Sequence, residues 1–263
     1  MTTEASATFV GNATTVLRLG AFTLLTDPAF GPAGSRVYLG YGAWTRRLTD
    51  PALRELPELD GVLLSHLHGD HFDKAARLRL PAALPIVTTP QAARRLRRRR
   101  TTVALPTWET HEWSRDGQRL RVTAVPGQHG PGFADRLLPD VMGSFVELEV
   151  DGRTVVKLYV TGDTLYRPFL ADVARRLGEI DAMLIHLGGT KLLGMLLTMD
   201  DQQGVALTEL VRPRMTLPVH YDDYRVFKSP LSAFVNRCRE RNVAGVWTMT
   251  RGETVDLPVK HRD

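Results

Sequence analysis

The sequence contains a single cysteine, Cys238, among 263 residues, so no disulfide bond can form within the chain. It also lacks any run of about 18 consecutive apolar residues, the length that a membrane-spanning helix needs. The N-terminal segment shows no basic stretch followed by an apolar one, as a signal peptide would. These absences argue against membrane insertion and against a disulfide-stabilised secreted scaffold, and a cytoplasmic location is expected.

Lysine is scarce too: only five of the 34 basic residues are lysines, although the formal net charge is +5. The arginines concentrate at 94–100, where a basic run could mark a nucleic-acid-binding surface. Thr89 and Pro90 are typical of a helix start, however, and the apolar Ala92 and Leu96 would leave the arginines on the solvent-exposed face. Because no aromatic residues interleave with the run, as base stacking requires, nucleic acid is not an expected partner.

Short apolar segments rich in β-branched residues alternate with Gly, Pro and Asp turn signals. Helices are predicted at 199–211, capped by Thr198 or Asp200, and at 229–241, with Ser229 as cap before Pro230. Residues 28–57 are rich in Pro, Gly and aromatics (Phe30, Tyr38, Tyr41, Trp44) and predict a long irregular segment. The predicted strands are 7–10, 14–19, 22–26, 61–65, 120–125, 144–150, 154–160, 182–185, 216–219 and 245–249.

This arrangement predicts an α/β (α+β) fold in which stacked sheets are covered by helices. The hydrophobic fraction of 43% and the charged fraction of 24% are ordinary for a globular protein. Since neither an internal repeat nor a linker is visible, residues 1–263 are expected to form one domain. Cys238, at helical spacing with Leu231, Phe234 and Val235, is expected in the core.

Four potential metal ligands lie within six positions directly after the predicted strand 61–65: His66, His68, Asp70 and His71. Side chains two residues apart in extended chain point the same way, so His66 and His68 should face a common point. Gly69 would allow the tight turn that brings Asp70 and His71 to a second point. Imidazole and carboxylate ligands suit zinc, manganese or iron, and so dense a histidine cluster favours a metal site.

Three further residues of ligand type each follow a predicted apolar strand. His129 follows 120–125, Asp163 follows 154–160, and His220 follows 216–219. Because folds that mix helices and sheets place their chemistry at strand ends, we expect these three to complete the metal sites begun at His66.

The order His66-x-His68-x-Asp70-His71, then His129, Asp163 and His220, resembles the metallo-β-lactamase superfamily from about Phe9 to the C-terminus. The resemblance implies a four-layer αββα sandwich of two mixed sheets flanked by helices. It implies two divalent metal ions, with zinc as the first choice and manganese or iron as alternatives. It further implies that His66, His68 and His129 bind the first metal, that Asp70, His71 and His220 bind the second, and that Asp163 bridges the two.

Finer motifs resemble the ascorbate-6-phosphate lactonase-like and N-acyl-phosphatidylethanolamine phospholipase D-like hydrolases. These are 10–14, 25–28, Gly188-Gly189, 198–200 and 218–221. In that branch a histidine usually stands where this chain has Asn12. Asn12 is therefore a candidate residue beside the metal ligands or the substrate, but the role of the family's histidine does not carry over to it directly. Asp27 is expected to orient a ligand histidine through a hydrogen bond, with a simple Asp-Pro turn as the alternative.

The resemblance implies a metal-dependent hydrolase of phosphodiesterase or lactonase type. A hydroxide shared by two metals about 3.5–4 Å apart would attack the phosphodiester or cyclic ester. Asp70 would be the catalytic group that handles protons, and Tyr221 or Asp222 would assist the leaving group, with a capped turn as the alternative for these two. Two divalent ions with Asp70, Asp163 and hydroxide leave a net charge of about +1, which favours an anionic small-molecule substrate.

Segments 28–48, 130–143 and 188–199 are expected to overhang the site. The last is unusually apolar, so a hydrophobic part of the substrate and a contact between two copies of the chain are both open interpretations. The alternative functions are a mononuclear-iron redox enzyme on the same fold, a nucleic-acid phosphodiesterase and a non-catalytic binding module.

Overall fold

The computed structural model describes residues 4–40, 42–53, 55–132, 135, 137–192 and 194–260. Within them the chain forms two large sheets, two short hairpins and a set of helices. The strands in chain order are Ala5–Gly11 (β1), Thr14–Leu19 (β2), Phe22–Thr26 (β3), Arg36–Gly40 (β4), Ala43–Arg46 (β5), Gly61–Leu64 (β6), Ile86–Thr88 (β7), Thr102–Ala104 (β8), Thr110–Arg115 (β9), Gln118–Pro126 (β10), Met142–Val150 (β11), Arg153–Val160 (β12), Ala182–His186 (β13), Lys191–Leu192 (β14), Met195–Leu196 (β15), Met215–Val219 (β16) and Thr254–Asp256 (β17). The helices are Lys74–Arg79 (α1), Pro90–Leu96 (α2), Ala171–Leu177 (α3), Asp201–Val211 (α4) and Leu231–Glu240 (α5).

Both large sheets are mixed. The first has the strand order β17-β1-β2-β3-β6-β7-β8, and the second has the order β16-β13-β12-β11-β10-β9. Strands β3, β6, β7 and β8 run parallel in the first sheet, as β12, β13 and β16 do in the second. The remaining neighbours are antiparallel.

The helices cover the outer faces of the two sheets. Helices α1 and α2 bury Ala76 and Leu96 in an apolar cluster with Val62 of β6. Helices α4 and α5 bury Val205 and Phe234 in a larger cluster, which contains apolar residues of both sheets. The layers therefore follow helix, sheet, sheet, helix, and the expected αββα sandwich is confirmed.

None of the helices formed by the described residues is both long enough and apolar enough to cross a bilayer.

The predicted strands are present with small shifts in their bounds, with one exception. The prediction of a strand at 245–249 was wrong: Gly245 has a positive φ of 75°, which interrupts extended backbone, and Val246 makes only an isolated bridge to Thr216. The short strands β7, β8, β9, β14, β15 and β17 and the helices α1 and α3 were not predicted.

The segment 28–57 is less irregular than predicted. It contains the hairpin of β4 and β5, in which Tyr38 pairs with Trp44 across the strands and the two ring centroids lie 5.0 Å apart. Such an aromatic pair stabilises an isolated hairpin. Tyr41, one of the aromatic residues of segment 28–57, and Leu193, of the apolar segment 188–199, lie outside the described residues.

The predicted caps are half right. The Asp200 carboxylate accepts a hydrogen bond from the Gln203 backbone N–H at 3.0 Å, so Asp200 caps α4. Ser229 does not cap α5, which begins after Pro230 without a side-chain cap. Its hydroxyl instead accepts a hydrogen bond from the Asp201 backbone N–H at 3.0 Å. This contact joins the start of α4 to the start of α5.

The strand directions bring the loops that follow β3, β6, β10, β12, β13 and β16 to one edge of the sandwich. β10 runs parallel to β12 because each is antiparallel to β11 between them. By the same argument β1 runs parallel to β3, so the turn at Asn12 lies at that edge as well. This edge is where the candidate ligands were expected.

We predict that Phe9→Ala destabilises the fold by about 3–5 kcal/mol, because it removes a fully buried ring from the core between the sheets. Phe169→Ala is the matched control, since the Phe169 side chain is 40% exposed. Urea unfolding of both variants measures the difference. Equal loss in the two variants would contradict this packing.

Candidate metal centre

The first three histidines converge on one point. His66 Nε2 lies 2.9 Å from His68 Nδ1, and His129 Nε2 lies 3.2 Å from the same His68 atom. A tetrahedral site with metal–nitrogen bonds of about 2.0–2.1 Å places its nitrogens about 3.3 Å apart. The three imidazoles are buried, and their spacing is that of ligands to a single ion.

A second group forms around His71. Its Nε2 lies 3.2 Å from His220 Nε2 and 3.1 Å from Asp163 Oδ2. Asp70 Oδ2 lies 3.4 Å from His220 Nε2 and 3.8 Å from His71 Nε2. The candidate ligand atoms of these four residues all lie within 4.8 Å of one another.

Asp163 lies between the two groups. Its Oδ2 is 3.1 Å from His71 Nε2 and 4.0 Å from His66 Nε2. The structure therefore brings together all seven residues that the sequence analysis selected as ligands, with this carboxylate in the bridging position.

Hydrogen bonds outside the cluster orient its imidazoles. The Nδ1–H of His129 donates to the Leu197 carbonyl at 3.2 Å, and that of His220 donates to the Leu187 carbonyl at 3.2 Å. A carbonyl oxygen can only accept, so in both rings the proton is on Nδ1 and the Nε2 lone pair is free to bind a cation.

Asp27 fixes His71 in the same way. Its Oδ2 lies 3.2 Å from His71 Nδ1 and 3.3 Å from His186 Nε2, while its Oδ1 accepts from the Ser65 backbone N–H at 2.8 Å. The structure thus places Asp27 against a candidate ligand histidine, as expected, rather than in a simple turn. His186 was missed, although it stands at the end of β13 just as His220 follows β16.

Asn12 supports the loop behind the cluster. Its side-chain amide donates to the Asp70 carbonyl at 2.8 Å, and its backbone N–H donates to Asp223 Oδ2 at 2.7 Å. Asp223 is buried beside Arg47, whose Nη2 is 3.7 Å from its Oδ1. Asn12 therefore positions Asp70 through the backbone.

Tyr221 and Asp222 are not part of the cluster. The Tyr221 hydroxyl donates to the Met249 carbonyl at 3.4 Å, and its ring packs against Phe9. Asp222 pairs with Arg251 at a partly exposed position. The expectation that either assists a leaving group is corrected, because their polar atoms are engaged with the segment around 249–251.

The tight turn expected at Gly69 is present, since the His71 backbone N–H donates to the His68 carbonyl at 3.2 Å, and glycine is needed there for close packing rather than for an unusual backbone angle. Its φ lies outside the left-handed region. A Cβ at this position would lie 2.6 Å from the Tyr38 carbonyl oxygen and 2.8 Å from Val37 Cγ1. The ligand loop is therefore seated directly on β4.

The electrostatics divide the site in two. Burial, and next the neighbouring imidazoles, lower the pKa of His66 well below its ordinary value, and burial lowers the pKa of His68 to about 3. Both rings are neutral at pH 7, with lone pairs available. Burial also opposes charge on His71, but the carboxylates of Asp163, Asp27 and Asp70 raise its pKa well above the ordinary value.

Buried polar atoms without hydrogen-bond partners are a second indication that these residues bind metal ions. Asp70 Oδ1 and Asp163 Oδ1 are buried and have no hydrogen-bond partner among the described residues. Buried polar atoms are normally paired, so unpaired ones at a converging set of ligands need an explanation. Cations bound between the two groups supply it.

A narrow cavity of about 60 Å³ opens above the ligands. His68, Asp70, His129 and Asp163 form its base. The three segments expected to overhang the site all contribute to its walls: Leu39, Gly40 and Ala43 from the first, Leu138 from the second, and Thr190, Lys191, Leu197 and Thr198 from the third, with Val226 in addition.

Relatives carry the same overall architecture. A metal-dependent hydrolase of Thermus thermophilus is 28% identical over 226 residues, which cover 79% of this chain and 92% of that protein. A crystal structure from Veillonella parvula has a TM-score of 0.79 at 21% identity, covering 97% of this chain and 99% of the other. An isothiocyanate hydrolase from Delia radicum gut bacteria has a TM-score of 0.78 at 19% identity, covering 96% and 99%.

The two structural likenesses show a shared fold. The family evidence is the match of residues 23–221 to the model of the beta-lactamase superfamily domain, which spans the ligand loop, His129, Asp163 and His220. The chain therefore belongs to the metallo-β-lactamase superfamily.

Proposed function

We propose that this chain is a two-metal hydrolase that cleaves a phosphodiester or cyclic ester bond in an anionic small molecule with a hydrophobic part. The observation that carries the proposal is the convergence of seven buried imidazole and carboxylate groups on two adjacent points below an apolar cavity. Independently of the substrate, the family match and the relatives support a metal-dependent hydrolase of the metallo-β-lactamase fold.

In this proposal His66, His68 and His129 hold one ion, Asp70, His71 and His220 hold the other, and Asp163 contacts both. Zinc is the first choice because neutral imidazoles and carboxylates in compact geometry suit it, and manganese or iron are the alternatives. When bound, two such ions supply a water whose pKa is near 7 and positive charge beside a developing oxyanion.

The residues of the chain do the remaining work. Asp70 Oδ1 has no hydrogen-bond partner among the described residues and its side chain lines the cavity, so it can accept a proton from an attacking water and return it to the leaving group. Asp27 holds the His71 ring, and Asn12 holds the Asp70 backbone. Leu39, Leu138 and Leu197 exclude water above the reacting bond.

The substrate preference follows from the cavity. Its apolar walls suit a small hydrophobic group, and Lys191 adds a cation at the wall. Together with the small net positive charge expected of the loaded centre, this favours an anionic substrate over a neutral lactam.

We predict that purified protein binds two zinc ions per chain and hydrolyses bis-p-nitrophenyl phosphate or a lactone, but not a lactam. Metal content by mass spectrometry and a chromogenic panel test this together. An isothiocyanate belongs in the panel because a protein of similar fold hydrolyses that class. One iron per chain with oxygen consumption during turnover would contradict hydrolysis and favour the iron redox alternative.

We predict that Asp27→Asn weakens zinc binding at the second site by about 10–100-fold, since a neutral amide cannot hold both His71 and His186 as the carboxylate does. Competition with a chromogenic chelator measures the affinity. Asp256→Asn, at an exposed position of β17, is the matched control and should bind zinc normally. Unchanged affinity in Asp27→Asn would show that the carboxylate does not orient a ligand.

A further inference from the structure

A wide cleft of about 1370 Å³ adjoins the narrow cavity, and its positive charge is not balanced by the described residues around it. Gly40, His68 and Leu138 line both spaces, so the cleft leads directly to the candidate metal centre. The arginine run that the sequence analysis placed on a solvent-exposed helix face is indeed exposed, but part of it forms a wall of this cleft.

Four arginines of that run line the cleft: Arg95, Arg98, Arg99 and Arg100. They lie on α2 and on the turn that follows it. None of the four forms an ion pair with any described residue. The Arg100 guanidinium is held by backbone carbonyls instead, including that of Leu80 at 2.7 Å.

Three further cations face them from other elements. Lys74 and Arg77 come from α1, and Arg36 comes from β4. These also lack an ion pair within the described part of the chain. Burial lowers the pKa of Arg77, the Asp73 carboxylate opposes this shift, and the neighbouring Arg100 lowers the pKa further.

One carboxylate, that of Asp73, lies among the described residues that line the cleft. Both of its oxygens are occupied: Oδ1 accepts from the Ala76 backbone N–H at 2.7 Å and Oδ2 from the Gly31 backbone N–H at 2.6 Å. It caps α1, and its single negative charge, which acts on the neighbouring Arg77, offsets only one of the seven cations. Like charges gathered without counter-charges raise the free energy of the folded protein unless an anion binds between them.

We propose that this cleft binds the phosphorylated part of a small-molecule substrate, a group with two or more negative charges, while the bond to be cleaved lies in the narrow cavity. The assignment of the cleaved bond rests on the proposed function, whereas anion binding in the cleft does not. Arginine pairs with phosphate oxygens through two parallel hydrogen bonds, so seven cations suit a diphosphate better than a single carboxylate.

A small molecule fits the cleft better than a nucleic acid strand. Among the described lining residues, Tyr38 is the one exposed aromatic ring, at 46% exposure, since Phe72 is fully buried. A protein that binds single-stranded nucleic acid without sequence preference presents a succession of aromatic side chains along a basic groove, and the bases stack on them. The cleft provides positive charge over a short distance and one exposed aromatic ring, that of Tyr38.

The test is calorimetric titration of zinc-loaded protein with ADP at low salt. Arg95→Gln/Arg99→Gln should weaken ADP binding about tenfold, because two exposed charge-assisted contacts are lost. Arg94→Gln/Arg97→Gln is the matched control: it makes the same charge change beside the same helix, at residues that do not line the cleft. The control should bind ADP as the unmodified protein does, and zinc content measured after each titration should remain unchanged.

Equal weakening in both variants would reduce the effect to net charge and overturn the proposal. A 20-nucleotide single-stranded RNA that binds at least tenfold more tightly than ADP, and that loses this affinity only in the cleft variant, would overturn it in favour of a nucleic acid occupant. Two further outcomes separate this proposal from the proposed function. If ADP binds through Arg95 and Arg99 while no substrate of the chromogenic panel is hydrolysed, anion binding in the cleft stands and the proposed function fails.

If a substrate of that panel is hydrolysed but ADP does not bind, the proposed function stands and anion binding in the cleft fails.

Discussion

Three carboxylates buried within 4 Å of one imidazole require positive charge among them, and the rest of the site depends on this constraint. Asp27, Asp70 and Asp163 are all buried around His71. Burying such groups without compensation is costly, because water no longer solvates them. In the protein alone, the His71 ring supplies a charge, as its raised pKa records, although burial opposes it. In the proposed two-metal centre, cations between the two groups would satisfy the same requirement and would engage the carboxylate oxygens left without partners.

The architecture holds these groups together at one edge. Two mixed sheets place the ends of six strands together, so ligands that are distant in sequence meet without long loops. The fold also positions the groups that hydrogen-bond to these ligands. The Asn12 amide, the Leu187 and Leu197 carbonyls and the Asp27 carboxylate each fix one ligand or its backbone.

The ligands could be predicted because each one directly follows an apolar strand, a local pattern that sequence displays. His66 follows β6, Asp163 follows β12 and His220 follows β16. His186 also stands at the end of an apolar strand, but the sequence around a single histidine does not indicate which residue it contacts in the folded protein. Only the packing of the two sheets brings it within 3.3 Å of Asp27. The roles of Tyr221 and Asp222 failed for the converse reason, since adjacency to His220 in sequence does not determine which way a side chain points.

The arginine run shows the same limit. Its helix start at Thr89 and its exposed face followed from local sequence, whereas the cleft is formed when α1, α2 and β4 come together. The hairpin of β4 and β5 was hidden for a similar reason, because its stability derives from a cross-strand aromatic pair and from its seat on the ligand loop at Gly69.

We propose that one edge of the sandwich holds two cations through the seven converging side chains. Anomalous diffraction from zinc-loaded crystals, recorded on both sides of the zinc absorption edge, tests this most directly. The account predicts two peaks, one within bonding distance of His66, His68 and His129 and one within bonding distance of Asp70, His71 and His220, with Asp163 touching both. A single peak, or zinc bound away from Asp163, would contradict it.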